Sequence, residues 1–411
     1  VIITSLGDFL GFKGKIINFV VKYVKRMVPS FNLPNAVNFK DVLDAGSQQS
    51  FKEQIIDKED IAFLQYTGGT TGGVKAAILS HRNVLANAIQ VRAWLGKNLK
   101  FGEDIAICAL PLYHIFALTC NSIVFFYFGS KNILITNPRD IPGFVKELKK
   151  HQFTFISGVN TLFNKLMEEP SFKECDFSKL NISIAGGMPV QKSVGERWQS
   201  MTGCLLVVGY GLSETAPAAS IDPVDGKSFS DTIGLPLPST EMSIQNDKGK
   251  ILSVGEEGEI CIRGPQVMRG YWNNEKDTKN ALTQDGWFKT GDIGIMREDG
   301  YFKIVDRKKD MIIVSGFNVY PSEIEEVAMM HSKVLEAGCI GVANSNGQEE
   351  VKLHVSPKEG ETISKNEILD HCRKHLTAYK VPKLLEIVDE IPKSNVGKIL
   401  RRKLREKITN A

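Results

Sequence analysis

Residues 61–75 read IAFLQYTGGTTGGVK, an apolar run followed by a loop rich in glycine and threonine. The apolar run, 61–66, predicts a β-strand. Glycines let successive backbone N–H groups curl around phosphate oxygens, and threonine hydroxyls and a lysine add further donors and positive charge. The stretch therefore predicts a phosphate-binding loop at the end of a strand. The candidate phosphate-binding residues are Thr67, Gly68, Gly69, Thr70, Thr71, Gly72 and Lys75.

This loop does not fit the Walker A motif, which requires Gly, four residues and then Gly-Lys-Ser/Thr. Val74 separates Gly73 from Lys75, and Ala76 stands where the motif has its magnesium-binding hydroxyl. A flexible loop without a ligand is the alternative. The order of strand, loop and lysine favours the phosphate-binding interpretation.

Outward from the loop, apolar β-rich runs alternate with helix-like segments over most of the first three hundred residues. The predicted strands lie at 105–110, 132–135, 153–157, 182–185 and 205–208, and the predicted helices at 83–95, 141–151 and 190–202. This alternation predicts stacked, largely parallel α/β layers. From Thr232, short strands punctuated by Gly and Pro (244–245, 259–263 and 301–306) predict a small β-barrel-like part or meander.

The charged run 306–310, Asp-Arg-Lys-Lys-Asp, separates two apolar strands and predicts a linker. Beyond it, predicted helices at 322–330 and 365–376 and predicted strands at 339–342 and 351–355 indicate a small α+β domain of about a hundred residues. The predicted division is a large N-terminal domain at 1–306, a hinge at 306–311 and a mobile C-terminal domain at 312–411. Two or three domains also suit a length of 411 residues.

Composition restricts the class of protein. Apolar residues make up 42% and charged residues 24%, as in folded proteins that are not disordered. Lys plus Arg (51) minus Asp plus Glu (47) gives +4, a slight excess that does not indicate a nucleic-acid partner. Seven cysteines without a Cys-x-x-Cys pair indicate a reducing compartment rather than disulfides or a thiolate zinc site. Because the chain opens with Val1, we expect an N-terminal piece to precede it.

Two stretches raise the question of a membrane. Residues 105–130 carry no formal charge, but Pro111, His114 and Asn121 interrupt the run, which predicts a buried core rather than a span. From Phe9 to Pro29, apolar side chains interleave with five cations, which predicts a basic amphipathic helix. Two interpretations of that helix stay open: contact with an anionic membrane surface, and packing on the core with a solvated basic face.

Two further clusters carry chemistry. Residues 209–215, Gly-Tyr-Gly-Leu-Ser-Glu-Thr, follow a predicted strand, where open α/β sheets bind their ligands. Tyr210 offers a flat face for a purine, and Glu214 offers a hard oxygen ligand for magnesium. Residues 287–292, Trp-Phe-Lys-Thr-Gly-Asp, place Asp292 in a predicted turn where its carboxylate can accept both hydroxyls of a ribose. Each cluster alone is weak evidence for a ligand site, since a Thr-Gly-Asp sequence more often marks only a turn.

Two other patterns favour ordinary surface roles. His371 and His375 stand four apart on a predicted helix beside Cys372, a spacing that can bind zinc. Their charged neighbours favour a solvated helix face instead. The basic run 401–405 resembles a nucleic-acid patch, but a solvated helix end is the favoured interpretation.

Taken in order, these motifs resemble the acyl-adenylate-forming superfamily of acyl-CoA synthetases, adenylation domains and firefly-type luciferases. The phosphate loop of that family, Tyr-Thr-Ser-Gly-Thr-Thr-Gly-x-Pro-Lys-Gly, resembles residues 66–76, with Gly69, Val74 and Ala76 in place of Ser, Pro and the final Gly. Other matching segments are 110–114 (aromatic acyl-site motif), 185–189 (adenine-side strand), 306–310 with 316–321 (hinge and loop flanking the CoA tunnel) and 392–398 (catalytic-lysine motif). The resemblance extends from Ile61 to Lys407. It is strongest to bacterial long-chain fatty-acid–CoA ligases, notably over 285–325, of which the chain looks like an N-terminally truncated form.

The resemblance implies an ATP-dependent long-chain fatty acid–CoA ligase that works through an acyl-adenylate, with Mg²⁺ as cofactor and CoA as co-substrate. It implies that Thr67 and Glu214 hold magnesium and that Lys398 reaches the bridging oxygen of the α-phosphate. The implied nucleotide and CoA contacts are Gly187 and Tyr210 at the adenine, Asp292 and Arg307 at the ribose, Gly316 toward CoA, and Gly209, Gly211, Ser213 and Lys309 around them. His114 is expected to couple the adenylating and thioester-forming poses.

Several alternatives stay open. The substrate can be another carboxylate, medium-chain or aryl, or the chain can be a non-catalytic nucleotide-binding or membrane-associated fragment. The resemblance implies a bacterial, cytoplasmic protein, with peripheral contact at the inner face of the membrane and a homodimer as open partner predictions.

Overall fold

The structure is a computed structural model that describes residues 1–68, 74–344, 348–393 and 399–409. The chain separates into two units, Val1–Asp57 and Lys58–Ala411. In the first unit, β1 (Ile2–Ile3) pairs in parallel with β2 (Val37–Asn38), and the helices are α1 (Gly11–Phe19) and α2 (Phe39–Ser47). A π-helical turn, Val20–Val24, continues α1. The predicted basic helix is therefore confirmed, with shorter bounds.

Packing in α1 depends on glycine. Gly14 is the one buried residue of α1, and a Cβ at this position would overlap the carbonyl oxygen of Gly7. Asn18 fixes the same approach by accepting from the N–H of Gly7 at 2.7 Å. The large apolar side chains of α1 consequently point away from this contact, with Phe12 77% exposed and Phe19 58% exposed.

The second unit begins with an antiparallel pair, β3 (Ile61–Gly68) and β4 (Val74–Ser80). The loop between them, 69–73, lies outside the described residues. Strand β4 was not predicted, so the candidate phosphate loop joins two strands. Helix α3 (His81–Leu95) follows at once because Ser80 caps it, accepting from the N–H of Asn83.

A seven-stranded sheet forms the centre of this unit, in the order β11-β10-β9-β8-β7-β5-β6. Its strands are β5 (Ile105–Cys108), β6 (Lys131–Leu134), β7 (Phe155–Gly158), β8 (Ile182–Gly186), β9 (Leu206–Gly211), β10 (Ala218–Ile221) and β11 (Leu235–Pro236). Strands β5 to β9 pair in parallel, and β10 and β11 are antiparallel additions. The predicted α/β class with largely parallel strands is confirmed.

Helices cover both faces of this sheet. Besides α3, the helices of this region are α4 (Phe125–Tyr127), α5 (Ile141–Leu148), α6 (Asn160–Glu168) and α7 (Lys192–Thr202), with a π-helix at Ala117–Val124 and 3₁₀ turns at Gly96–Asn98, Pro170–Glu174 and Ser213–Thr215. One core cluster includes Phe163 and Trp198, and another includes Val91 and Phe125. Phe116, Val124 and Phe125 of the uncharged stretch are buried in the second cluster, as predicted for a core segment. Over the described ranges, no helix combines the length and apolar character needed to cross a bilayer.

The glycine-punctuated region is a four-stranded antiparallel sheet in sequence order. It contains β12 (Glu241–Gln245), β13 (Gly258–Arg263), β14 (Phe288–Met296) and β15 (Phe302–Arg307), with α8 (Glu275–Ala281) before β14. The meander interpretation is therefore correct. Asp292 lies inside β14, so its predicted turn is wrong. Gly291 just before it has φ +73, and the pairing register shifts nearby, so a bulge in the strand accounts for the turn-like sequence.

The C-terminal part has its own sheet and core. A hairpin of β16 (Ile312–Val314) and β17 (Phe317–Val319) leads to α9 (Pro321–Met329). Strands β18 (Val334–Ala343), β19 (Glu349–Pro357) and β20 (Leu384–Ile387) then form a mixed sheet. Helix α10 (Lys365–His375), a 3₁₀ turn at Ala378–Lys380 and α11 (Arg401–Thr409) complete this part. A large N-terminal domain and a small α+β C-terminal domain are thus present, while the exact hinge bounds stay a prediction.

Candidate active site

The two strands that flank the phosphate loop bring its ends together. Thr67 pairs with Lys75 and Gly68 pairs with Val74 across β3 and β4. Gly69, Thr70, Thr71 and Gly72 lie outside the described residues. The 3₁₀ turn Ser213–Thr215, which carries Ser213 and Glu214, contacts both strands. The structure therefore places the candidate magnesium ligand Glu214 beside the base of the predicted phosphate loop.

Lys75 and Glu214 are linked through Tyr271. The ammonium of Lys75 lies 5.1 Å from the centre of the Tyr271 ring, and the Tyr271 hydroxyl donates to Oε1 of Glu214 at 2.8 Å. Burial and the neighbouring carboxylate of Glu214 raise the pKa of Tyr271, so its hydroxyl stays protonated as a donor. Sequence reasoning missed Tyr271, although its aromatic neighbourhood, Gly-Tyr-Trp at 270–272, is visible in the sequence.

Lys75 also has an anionic partner. Its Nζ lies 2.9 Å from Oδ2 of Asp277, the third residue of α8. This contact lowers the pKa of Asp277, mainly through the hydrogen bond from Lys75. Asp277 stands in no motif that the sequence singles out, and only the tertiary fold brings it to the loop.

The adenine-side residues follow neighbouring parallel strands. Gly186 at the end of β8 pairs with Gly209 in β9, and Gly187 follows with φ +77. Gly211 ends β9, where a Cβ would overlap the carbonyl oxygen of Pro217. The carboxyl ends of two parallel strands thus hold Gly187, predicted at the adenine, and Gly209 and Gly211, predicted near the nucleotide, as expected for ligand sites in open α/β sheets.

The predicted ribose residues form a connected group. Asp292 and Arg307 are directly paired across β14 and β15, and Arg307 Nε lies 3.0 Å from Oδ1 of Asp292. The Tyr210 hydroxyl donates to the other oxygen, Oδ2, at 2.7 Å. Asp292 is 3% exposed, and burial raises the pKa of Tyr210. The structure thus brings Tyr210, Asp292 and Arg307 together, with most of the Tyr210 ring packed in a core cluster.

The residues of the predicted hinge are held by partners on several elements. Asp306 accepts from the backbone N–H of Ser322 at 2.7 Å, and Lys308 Nζ lies 2.6 Å from Asp247 and 3.0 Å from Glu259. Burial lowers the pKa of Lys309. Asp310 is 6% exposed and faces two arginines of α11, Arg401 and Arg405. This charged run is therefore well anchored in the state that the structure shows.

The prediction of a solvated basic helix end at 401–405 holds for Arg402 and Lys403 but is wrong for Arg401. Arg401 is paired with Glu325 of α9 at 2.8 Å and with Asp310 at 3.4 Å, and its side chain is 14% exposed. Glu325 also accepts from the N–H of Cys339 at 2.7 Å. Arg402 and Lys403 next to it are exposed. The prediction failed at Arg401 because its partners lie on α9 and near β16, far away in sequence.

Two of the remaining candidates, His114 and Gly316, are among the residues that the structure describes. His114 accepts from the N–H of Phe116 at 3.3 Å, and Gln65 of β3 donates to the carbonyl of the neighbouring Tyr113 at 3.2 Å, so this motif adjoins the phosphate-loop strand. Gly316, with φ +83, forms the turn between β16 and β17. Lys398 lies outside the described residues.

The prediction that His371 and His375 lie on a solvated helix face is partly wrong. Cys372 is fully buried, and His371 Nε2 lies 2.9 Å from the carbonyl oxygen of Val327 because α10 packs against α9. Among residues that the structure describes, no group of three or more His, Cys, Asp and Glu side chains is arranged to hold a metal ion.

Similarity to known families defines the class of protein to which the chain belongs. The AMP-binding enzyme family matches residues 21–272, and the AMP-binding enzyme C-terminal domain matches residues 323–398. The chain belongs to the AMP-binding enzyme family.

Within that family, the chain is 53% identical over 407 residues to a protein of Yersinia pestis named long-chain-fatty-acid–CoA ligase, covering 99% of this chain and 72% of that protein. It is 37% identical over 412 residues to the protein of the same name in Bacillus subtilis. Among solved structures, ATP-bound MatB from Rhodopseudomonas palustris matches with a TM-score of 0.83 and 31% identity, covering 91% of this chain and 74% of MatB. O-succinylbenzoate CoA synthetase of Bacillus subtilis with ATP and magnesium matches with a TM-score of 0.77 and 27% identity, covering 90% of this chain and 75% of that one.

Proposed function

We propose that the chain is an ATP-dependent long-chain fatty acid–CoA ligase. It joins a fatty acid to CoA through an acyl-adenylate and releases AMP and pyrophosphate. The observation that carries the proposal is the continuous 53% identity, over 99% of the chain, to a protein of that name. The site supports the proposal, because Glu214 follows β9 and Asp292 contacts Tyr210 near the carboxyl end of that strand, where open α/β sheets bind ligands.

In the first half-reaction, the fatty carboxylate attacks the α-phosphorus of ATP and pyrophosphate leaves. We assign Lys75 and the 67–72 segment to the phosphates and Gly187, Gly209 and Gly211 to the adenine side. Positioning two anions and neutralising charge as it develops is most of what the protein must do. Lys75 suits that task, since its ammonium lies at the loop end with only a quarter of the side chain exposed.

Asp292 is assigned to the ribose. Arg307 and Tyr210 hold its two oxygens in place, so the carboxylate is fixed before the nucleotide arrives. A carboxylate oxygen has lone pairs beyond those that Arg307 and Tyr210 engage, and these can accept the hydroxyls of a ribose. Preorganisation of this kind lowers the entropic cost of binding.

We assign magnesium to Glu214 and Thr67. These two side chains suit a magnesium ion, since a carboxylate and a hydroxyl provide hard oxygen ligands. The Glu214 carboxylate is already oriented by the hydrogen bond from Tyr271. When bound, the cation would neutralise phosphate charge. The chain itself contributes the fixed carboxylate and the neighbouring ammonium of Lys75.

The second half-reaction uses the C-terminal domain. We propose that residues 312–411 rotate about the hinge at 306–311, which withdraws Lys398 and presents the Gly316 turn to CoA. The CoA thiol then attacks the acyl carbonyl, and AMP leaves. His114, next to the phosphate-loop strand, is assigned to coupling the two poses. Lys309, an exposed residue of the hinge, is assigned to the nucleotide side.

The test is fatty-acid-dependent exchange of labelled pyrophosphate into ATP, with palmitate, octanoate and acetate compared. We expect the largest kcat/KM with palmitate. Strong exchange with octanoate or acetate alone would indicate another carboxylate as substrate. The absence of exchange with every acid, in a folded protein that binds ATP, would leave the non-catalytic alternative.

We also propose that α1 contacts anionic lipid. Phe12 and Ile16 are 77% and 52% exposed, and Lys13, Lys15 and Lys22 beside them are exposed as well. Each cation near an anionic surface contributes about 1 kcal/mol, screened by salt. Flotation with phosphatidylglycerol vesicles should show binding at low salt that fades at high salt. Equal binding to neutral vesicles, or none, would contradict it. The cytoplasmic location and the homodimer stay predictions.

A further inference from the structure

The phosphate-loop lysine carries a counter-ion that belongs to the protein itself. Lys75 Nζ lies 2.9 Å from Oδ2 of Asp277, within reach of a strong charge-assisted hydrogen bond. The two side chains are 25% and 29% exposed, so water and ligands have access to the pair. The ammonium that is assigned to ATP phosphates is therefore already occupied by a carboxylate in the structure.

Asp277 is held in position from its other side. Asn274 Nδ2 donates to the same Oδ2 at 2.9 Å, and the backbone N–H of Asp277 donates to Oδ1 of Asn274 at 3.1 Å. Tyr271, just before this turn, supplies the ring beside the Lys75 ammonium. The carboxylate is thus a fixed group, and the lysine is the flexible partner of the pair.

We propose that Asp277 is a positioning residue that competes with the nucleotide phosphates for Lys75. This inference rests on the proposed function. The ammonium exchanges from Asp277 to the phosphates when ATP binds. When pyrophosphate leaves, Asp277 takes the ammonium back, so the departing anion leaves no lone cation behind. The carboxylate consequently weakens the binding of ATP and of pyrophosphate and speeds product release.

If Asp277 competes with the phosphates for Lys75, removing its charge should change the binding of ATP and pyrophosphate but not the rate of the chemical step. Asp277→Asn keeps the size of the side chain and its contact with Asn274 but removes the negative charge. We expect KM for ATP and the inhibition constant of pyrophosphate each to fall about threefold, because a partly exposed ion pair is a modest interaction. The kcat of palmitate-dependent exchange should stay within about twofold. A merely structural role of Asp277 would lower kcat or raise KM.

The matched control is Glu275→Gln on the same helix. Glu275 pairs with Lys279 at 2.8 Å, and both side chains are exposed, so this variant removes one negative charge without touching Lys75. It should leave KM for ATP unchanged. The double variant Lys75→Ala, Asp277→Asn tests the route of the effect. In the Lys75→Ala background, Asp277→Asn should no longer lower KM, since no ammonium remains to compete for.

Direct titration of the folded proteins with Mg-ATP by calorimetry separates this inference from the proposed function. If the parent shows no fatty-acid-dependent exchange, the proposed function fails, and the Kd for ATP still decides the inference. Tighter ATP binding by Asp277→Asn but not by Glu275→Gln supports it. An unchanged or weaker affinity, or the same gain in the Lys75→Ala background, overturns it.

Discussion

Two groups of ion pairs in the Lys58–Ala411 unit use similar residues in different surroundings. Lys75 and Asp277 are a quarter or more exposed, and a phosphate can replace the carboxylate. Arg401, Glu325 and Asp310 are nearly inaccessible, with Glu325 and Asp310 each 6% exposed. A charge pair that solvent reaches suits exchange during a reaction, whereas a buried pair between two elements fixes one element to the other.

The buried group, Arg401 with Glu325 and Asp310, joins three segments. Arg401 begins α11, Glu325 lies in α9, and Asp310 ends the charged run before β16. The segment with the predicted catalytic lysine, 394–398, is separated from α11 in the sequence only by Ile399 and Leu400. We therefore expect the end of the hinge and the exit of the lysine segment to move as one body when the C-terminal domain rotates.

Removing Arg401 should give the largest effect. Arg401→Leu leaves Glu325 and Asp310 buried without this partner, and breaking one side of a buried pair costs about 3 kcal/mol or more. Hydrogen exchange at β18 measures it, because Cys339 in that strand donates to Glu325. Amides that exchange through opening of this region should exchange roughly 100-fold faster.

Arg402→Leu is the matched control for that experiment. Arg402 pairs with Glu406 at 3.0 Å, but the side chains are 64% and 54% exposed. Its loss should change the opening free energy by less than about 0.5 kcal/mol. Similar effects of the two substitutions would show that burial does not distinguish the Arg401 pairs from an exposed pair.

The pH dependence of stability provides a second test of the buried group of Arg401, Glu325 and Asp310. Burial raises the pKa of Glu325 to about 7 from its ordinary 4.5, although Arg401 and the N–H of Cys339 act in the opposite direction. A carboxyl whose folded pKa is raised gives stability that is complete below pH 4.5 and is lost as pH rises through about 7. Between these values, the contribution should fall by up to about 1.4 kcal/mol per pH unit.

The measurement is the opening free energy of β18 from hydrogen exchange between pH 5 and pH 8, corrected for intrinsic exchange rates. Glu325→Gln should remove this slope, since an amide does not titrate. An identical slope in parent and variant would show that Glu325 is already ionised throughout, as a tightly paired carboxylate would be.

The smallest expected effect on the reaction concerns Tyr271, which contacts both Lys75 and Glu214. Tyr271→Phe keeps the ring beside Lys75 but removes the hydroxyl that orients Glu214. We expect the magnesium concentration for half-maximal exchange to rise about tenfold, the usual cost of losing a group that orients a metal ligand. KM for ATP should change less. A rise in KM for ATP with no change in magnesium dependence would argue against Glu214 as the ligand.

The sequence predicted the central sheet well because buried parallel strands such as β8 are continuous apolar runs. It predicted the candidate site where the residues follow those strands or stand in a compact motif. It missed β4, whose Val74 and Lys75 look like the end of a loop. It also missed Tyr271 and Asp277, which reach Lys75 only through the packing of a distant segment.

Charge runs were the least predictable feature. The run beginning at Arg401 looks solvated in the sequence, and the run ending at Asp310 looks like a linker. Their partners become visible only in the fold, since the order of charges along the chain does not say which opposite charges face them. Burial of such residues is therefore a tertiary property.

The central claim is that this chain forms an acyl-adenylate and transfers its acyl group to CoA. The direct measurement is a rapid-quench reaction of the protein with labelled palmitate and Mg-ATP, first without CoA and then after CoA is added. We predict that palmitoyl-adenylate accumulates to about one equivalent of enzyme and converts to palmitoyl-CoA when CoA arrives. Lys398→Ala should slow the first step 10²-fold or more, the cost of losing one preorganised charge contact, and leave the conversion of supplied palmitoyl-adenylate near the parent rate. Release of ADP and phosphate without an adenylate, or equal loss of both steps in folded Lys398→Ala, would contradict the account.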